Sequence, residues 1–280
     1  MEKAIKRYFP IFVLPTMIAF TLGFIIPFVE GVYLSFCKFT TVNDAKFVGF
    51  ANYAKVFADE TFVHAFWYTA AFTVVSVILI NVLAFAVALL LTKGFKGTNI
   101  FRNVFFMPNL IGGIVLGYIW QLLLNGILMK FSRTLTYSST YGFWGLIILM
   151  CWQQIGYMMI IYIAGIQNIP GELIEAAEID GATKWQILKK VTIPMVMPSI
   201  TVCTFLTLTN SFKLFDQNLA LTNGEPSKMS EMLALNIFYT FYGRTGYEGV
   251  GQAKAVIFFI LVTVIALTQN YLTRRKEVQQ

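Results

Sequence analysis

The residues that could do chemistry in this chain are polar groups set inside apolar stretches. Asn210, Lys213 and Gln217 recur at i, i+3 and i+7 with Asp216 alongside, so an unbroken helix would carry them on one face. Polar groups inside membrane helices are expensive and face protein or water, which suits a solute path. Lys213 sits near the end of its segment and has two further readings, snorkelling toward water or pairing with Asp216 or Glu30. Trp120-Gln121 and Trp152-Gln153 each join an aromatic ring to an amide. A sugar has a C–H face that stacks on a ring and hydroxyls that need amide partners. The same residue types also serve interfacial belts and interhelical hydrogen bonds. Trp120, near a helix end, fits the belt; Trp152, nearer mid-helix, fits the path.

Covalent and metal chemistry find little support. Cys37, Cys151 and Cys203 lie in or beside apolar segments at unrelated spacings and read as small buried hydrophobes. The single histidine, His64, has no HExxH or CxxC company, so no metal site is expected. The stretch KGFKGTN at 93–99 lacks the Gly-Lys-Ser/Thr ending of a phosphate-cradling loop. With no nucleotide site of its own, a chain that moved a solute uphill would draw its energy from another subunit or a co-transported ion.

The elements that must position these groups follow from composition. Of the 280 residues 57% are hydrophobic and 12% charged, with mean hydropathy +0.68, where a soluble domain carries about 25% charged residues. A bilayer core about 30 Å thick takes roughly 20 apolar residues of helix to cross. Six segments qualify: 11–36, 65–92, 104–125, 141–168, 193–215 and 253–272. The alternation expected of a β-barrel is absent, so the class is an all-α polytopic membrane protein in a single domain over 1–280. The basic start MEKAIKRYFP imitates a signal peptide, but its apolar run is too long and no small-residue cleavage site follows; it reads as a retained helix, kinked by Pro10, Pro15 and Pro27.

Orientation follows the basic residues. Six crossings place both termini on one side, together with Lys3, Lys6, Arg7, Lys93, Lys96, Arg102, Lys184, Lys189, Lys190, Arg274, Arg275 and Lys276, which are 12 of the 21 cations. That side is expected to be cytoplasmic, and the net charge of +7 then calls for no nucleic-acid partner. Segments 37–64, 126–140 and 216–252 fall on the other side.

On the cytoplasmic side the longest segment, 169–192, holds EAAEIDGA at 175–182. Pro170 suits a helix entrance, and Glu172, Glu175 and Glu178 favour its positive end. Asp180-Gly181 breaks the run, glycine adopting a positive φ without steric cost. A second short helix follows with Trp185, Leu188 and Val191 on one side, ended by Pro194. Ala176, Ala177 and Ala182 let another surface approach closely. Composition alone does not separate docking of a partner protein from an amphipathic loop resting on membrane lipid.

This passage resembles the coupling loop of permease subunits in binding-protein-dependent ABC importers, EAAxxDGAxxxxxFxxIxLP. Glu175, Ala176, Ala177, Asp180, Gly181, Ala182 and Pro194 are in register, with Leu188, Val191 and Ile193 standing for Phe, Ile and Leu. GFANYAKVFADETFVHAFWYTAAFT (49–73), FRNVFFMPNLIGGIVLGYIWQLLLN (101–125) and SFKLFDQNLALTNGEP (211–226) resemble stretches of the carbohydrate-uptake branch, the maltose and multiple-sugar type, with Tyr68 in place of Asn and Glu225 in place of Gly. The resemblance implies the type I importer fold in a prokaryotic cell membrane. It also implies a second permease subunit, usually a different homologous chain, two ATPase subunits that bind ATP and Mg, and an extracytoplasmic solute-binding protein. The loop would dock in the ATPase, using Trp185 and Leu188 besides the matched residues, and this chain would catalyse no covalent step. The expected cargo is a sugar, an oligosaccharide above all. Rival readings are a permease for glycerol phosphate, an amino acid or a peptide, a stand-alone ion-coupled carrier, and a membrane-embedded enzyme.

Overall fold

The computed structural model describes residues 2–94 and 96–274, and side chains other than those of 2–7 and 10. Arg275 and Lys276, counted above for orientation, lie outside the described residues, as do the side chains of Lys3, Lys6 and Arg7. Helices dominate. α1 (Glu2–Phe20) passes through a wide turn at Thr21–Ile25 into α2 (Ile26–Leu34). Pro27 cannot donate to the turn before it, and Ile26 reaches back five residues to the Thr21 carbonyl. A two-stranded antiparallel ribbon, β1 (Cys37–Lys38) and β2 (Lys46–Phe47), leads to α3 (Ala51–Phe57). Then come α4 (Glu60–Leu91), α5 (Thr98–Phe106), α6 (Gly113–Leu128), α7 (Ser139–Gln167), α8 (Gly171–Ile179), α9 (Lys184–Ile187), α10 (Ile193–Met195), α11 (Met197–Phe212), α12 (Asp216–Leu221), α13 (Leu233–Gly243) and α14 (Glu248–Arg274).

Among the described residues five stretches are long and apolar enough to cross a bilayer: Ile11–Leu34, Glu60–Leu91, Gly113–Phe131, Ser139–Gln167 and Glu248–Arg274. The sixth is broken, Lys184–Met195 and Met197–Phe212 meeting at 69°. Two of the expected spans are thereby corrected. The third begins at Gly113 instead of 104, because Pro108 sits in a tight turn at Met107–Leu110 and Ile111 and Gly112 are extended. In the fifth, Pro194 does not end the preceding helix. The chain stays helical through a wide turn at Leu188–Thr192, with Ile193 donating to the Leu188 carbonyl. It breaks at Val196 instead, where Pro198 opens α11 without a backbone donor. Segment 216–252 carries helices of its own: Leu221 from α12, Leu233 and Leu235 from α13, and Met232 just before α13 are all buried.

The chain divides into two compact units, one of Met1–Glu60 with Ile237–Ile260, the other of Thr61–Asn236 with Leu261–Gln280. In the first, Asn52 donates to the carbonyls of Ser35 (2.9 Å) and Cys37 (2.8 Å), tying α3 to the end of α2. Lys254, fully buried, pairs with Asp59 at 2.7 Å and donates to Thr240 Oγ1 at 2.8 Å. Phe20, Phe24 and Phe28 stack along one side of the first span.

In the second unit α7 is the hub, 61% of its membrane window buried against 11% for α6. Its small residues permit this. A Cβ on Gly156 would strike the Phe105 carbonyl, so α5 crosses α7 at backbone contact. α4 runs parallel to α7: Tyr68 lies beside Phe143, Phe85 beside Tyr162. Tyr162 donates to Asn81 Oδ1 at 2.6 Å, and Asn81 Nδ2 donates to Thr207 Oγ1 at 2.9 Å. Three helices (α4, α7 and α11) are thus joined by one amide, through interhelical hydrogen bonds that are each modest in strength.

Candidate functional site

Two sites emerge, both in the second unit. The first is the loop between α7 and α11. α8 ends at Asp180, and Gly181 takes φ +76°, a region that costs other residues about 1–2 kcal/mol. Gly181 N–H then reaches the Glu178 carbonyl and Ala182 N–H the Ala177 carbonyl, both at 3.0 Å, closing the helix end with the paired bonds of a glycine cap. Two residues later Thr183 starts α9 with reciprocal caps: its N–H donates to Gln186 Oε1 at 2.7 Å, and Gln186 N–H donates to Thr183 Oγ1 at 3.4 Å. One helix is stopped and the next started within four residues, which fixes the angle between them. The Thr-x-x-Gln spacing at 183–186 is the sequence signal of this cap.

The loop shows its family-matched residues to the outside. Glu175, Ala176, Asp180 and Gly181 are exposed, while Ala177, Ala182, Leu188 and Pro194 are half-buried. Ala177, Asp180, Gly181 and Ala182 line a concavity of about 240 Å³ with Gln186, Ile187, Lys190 and Val191. Trp185 does not share an inward face with Leu188 and Val191: it is 68% exposed, and Ile187 is the buried residue. The wide turn at Leu188–Thr192 shifts the helical period there, so spacing counted at 3.6 assigns the wrong face. Ile179, 87% exposed, joins Trp185 as a second apolar side chain facing away from the protein. Large apolar groups held outward on short capped helices are suited to insertion into a partner's surface.

The second site gathers the polar groups at the end of α11. That helix stops at Phe212 with Lys213 as its cap, and Asp216 and Gln217 begin α12. The single helical face expected for Asn210, Lys213 and Gln217 therefore does not exist, because the chain turns at 213–215. The turn nonetheless brings them together. Asn210, Lys213, Asp216 and Gln217 line a cavity of about 290 Å³ with Gln154 and Phe215. Lys213 is exposed and makes no ion pair with Asp216 among the described residues. Gln217 donates to Gln153 Oε1 at 2.8 Å, which anchors α12 to α7. Gln154 is buried, and its Oε1 lacks a hydrogen-bond partner among the described residues. Such a group costs about 1–3 kcal/mol until something donates to it.

α12 reaches this position along α6, where Gly113 faces the Asp216 side chain and Gly117 faces Ala220. Trp120 and Trp152 meet edge to face at 5.6 Å, and neither lines the cavity. Gln121 donates to the Leu221 carbonyl at 3.1 Å, an interhelical tie. Gln154, absent from the expected set, had only its adjacency to Gln153 to mark it. Among the described residues the lining supplies amide donors and acceptors, the exposed ammonium of Lys213 and the carboxylate of Asp216.

The family model described as "Binding-protein-dependent transport system inner membrane component" matches residues 80–278. The probable starch degradation products transport system permease protein AmyD of Thermoanaerobacterium thermosulfurigenes is 41% identical over 96% of this chain and 94% of its own length. The multiple sugar-binding transport system permease protein MsmF of Streptococcus mutans is 28% identical over 99% of both chains. Among solved structures, a bacterial ABC transporter involved in import of the acidic polysaccharide alginate superposes with TM-score 0.82 at 22% identity, covering 98% of each chain. The MetNI methionine ABC transporter matches with TM-score 0.57 at 24% identity, over 77% of this chain and 96% of its own.

Proposed function

We propose, because the chain belongs to the family of binding-protein-dependent transport system inner membrane components, that it is the permease subunit of an ATP-driven sugar importer. The names of its relatives, which carry starch degradation products and multiple sugars, support an oligosaccharide as cargo. The observation that carries the energetic part is the loop at 171–196: a glycine cap and a capping box hold Ile179 and Trp185 outward beside the concavity at Gly181. In this reading Glu175, Ala176, Ala177, Asp180, Gly181, Ala182, Trp185, Leu188 and Pro194 form the docking element for an ATPase subunit that binds ATP and Mg. Both termini then lie on the cytoplasmic side. A second permease, two ATPases and an extracytoplasmic binding protein complete the assembly, and this chain performs no covalent step.

The solute would pass the cavity of Gln154, Asn210, Lys213, Asp216 and Gln217. Gln154 Oε1 accepts from a sugar hydroxyl, and Lys213 and Asn210 donate to others. Transport follows from alternating access. ATP and the loaded binding protein favour one state over the other, and only that differential free energy moves the helices.

Gly181→Val tests the coupling assignment. Forcing a β-branched residue into this φ costs at least about 1–2 kcal/mol and deforms the cap. The permease should insert normally while uptake and ATPase association fall together. Normal uptake with an ATPase still bound would refute it.

A further inference from the structure

A third cavity, of about 390 Å³, lies where α4 ends and α5 begins. Leu91, the last residue of α4, and Gln167, the last of α7, both line it, so it opens at the membrane boundary beside the start of the 171–196 loop. Its polar lining is Thr92, Thr98, Asn99, Arg102 and Gln167, and Gly94 and Gly97 also line it. The charge is one-sided: between residues 91 and 107 stand Lys93, Lys96 and Arg102 and no acid. Lys93 and Lys96 are exposed. Arg102 is half-buried, its Nε fully shielded from solvent with no hydrogen-bond partner, and it makes no ion pair among the described residues. A guanidinium in that position calls for an acceptor, and an anion that offers two oxygens side by side, a carboxylate or a phosphate, fits its fork of donors best.

The surroundings say which anion. Ile100, Phe101 and Val104 project from α5 with large exposed areas, continuing outward from the cavity lined by Ile100 itself. A short helix with an apolar outer face and cations at its entrance lies well at a bilayer interface, and basic pockets between membrane helices hold phospholipid headgroups. A free phosphate ion would use the cations and leave the apolar face without purpose.

We propose that this cavity binds the phosphate group of an anionic phospholipid. Arg102 is the principal donor, Lys93 and Lys96 supply the field, and the acyl chains lie along Ile100, Phe101 and Val104. The ligand would brace the end of α7 from which the 171–196 loop departs.

The test is native mass spectrometry of the permease purified with its co-purifying subunits in neutral detergent. It is titrated with phosphatidylglycerol, with phosphatidylcholine, and with phosphatidylglycerol in excess inorganic phosphate. The wild type should retain phosphatidylglycerol in preference to phosphatidylcholine. Arg102→Gln should weaken that retention about fivefold or more, since one basic residue near an anionic surface contributes ~1 kcal/mol. Arg102→Lys, which keeps the charge and loses the fork, should fall between wild type and Arg102→Gln, and Arg244→Gln, at an exposed site elsewhere, should change nothing. Equal retention by wild type and Arg102→Gln, with Arg102→Lys confirming that the assembly is intact, overturns the proposal. Arg102-dependent displacement of the lipid by inorganic phosphate overturns the lipid assignment in favour of a free anion.

Discussion

Gly181 and Lys254 are single residues whose roles rest on opposite kinds of evidence. Gly181 is fixed by local backbone geometry, φ +76° between two caps, so its substitutions should rank by tolerance of that region. Asn, which visits it readily, should preserve substantial uptake in Gly181→Asn, whereas Gly181→Val should not. Transport by the two variants at equal membrane abundance checks this. Lys254 is fixed chiefly by a residue far along the chain: Asp59 is 195 positions away, and in the sequence only its place at the start of the 253–272 apolar segment marks it. Removing one partner of a buried pair costs about 3–5 kcal/mol because the other charge is stranded. Asp59 keeps some exposure, 19%, which puts Asp59→Ala toward the lower end. The thermal midpoint of purified Asp59→Ala should fall clearly, and Asp59→Ala/Lys254→Met should recover much of the loss. If the double variant were as unstable as the sum of the singles, the pair would not be what holds these segments.

Among the elements, α7 carries the most structure. Its close contacts are made by glycines, which sequence periodicity ignores. Gly156→Ala places a methyl group against the Phe105 carbonyl, and overpacking of that kind costs about 1–3 kcal/mol. Lower thermal stability is expected. Asn81 makes a complementary case. Asn81→Leu removes its bonds to Tyr162 and Thr207, each worth about 0.6 kcal/mol on average between membrane helices, so a modest loss of stability measured in detergent is expected. The polar cavity gives the functional prediction. Gln154→Leu keeps the volume and removes the unpaired acceptor. Uptake should fall about tenfold, the loss of one buried hydrogen-bond partner, while the ATPase stays bound. Unchanged transport by Gln154→Leu would remove that residue from the solute path.

As a whole molecule the chain has membrane-crossing helices, an outward-facing loop and a polar cavity, and the proposed partition of labour has a direct consequence. Reconstituted alone, it should not move a sugar down or up a gradient in a saturable way; with its ATPase and a loaded binding protein it should, and only with ATP. Saturable uptake by the lone chain under an ion gradient would favour a carrier instead. The membrane class, the approximate position of most spans and the 175–182 motif were all legible in the sequence, because each depends on composition or on contacts within about ten residues. Transfer of apolar side chains to lipid is additive along a helix, and a glycine cap is built from adjacent peptide groups. The break at Val196, the inward turn of Ile187 in place of Trp185, the parting of Lys213 from Gln217 between two helices and the burial of Lys254 were decided only by tertiary structure. Each depends on where a proline, a wide turn or a distant carboxylate interrupts a period that the sequence alone takes to be unbroken.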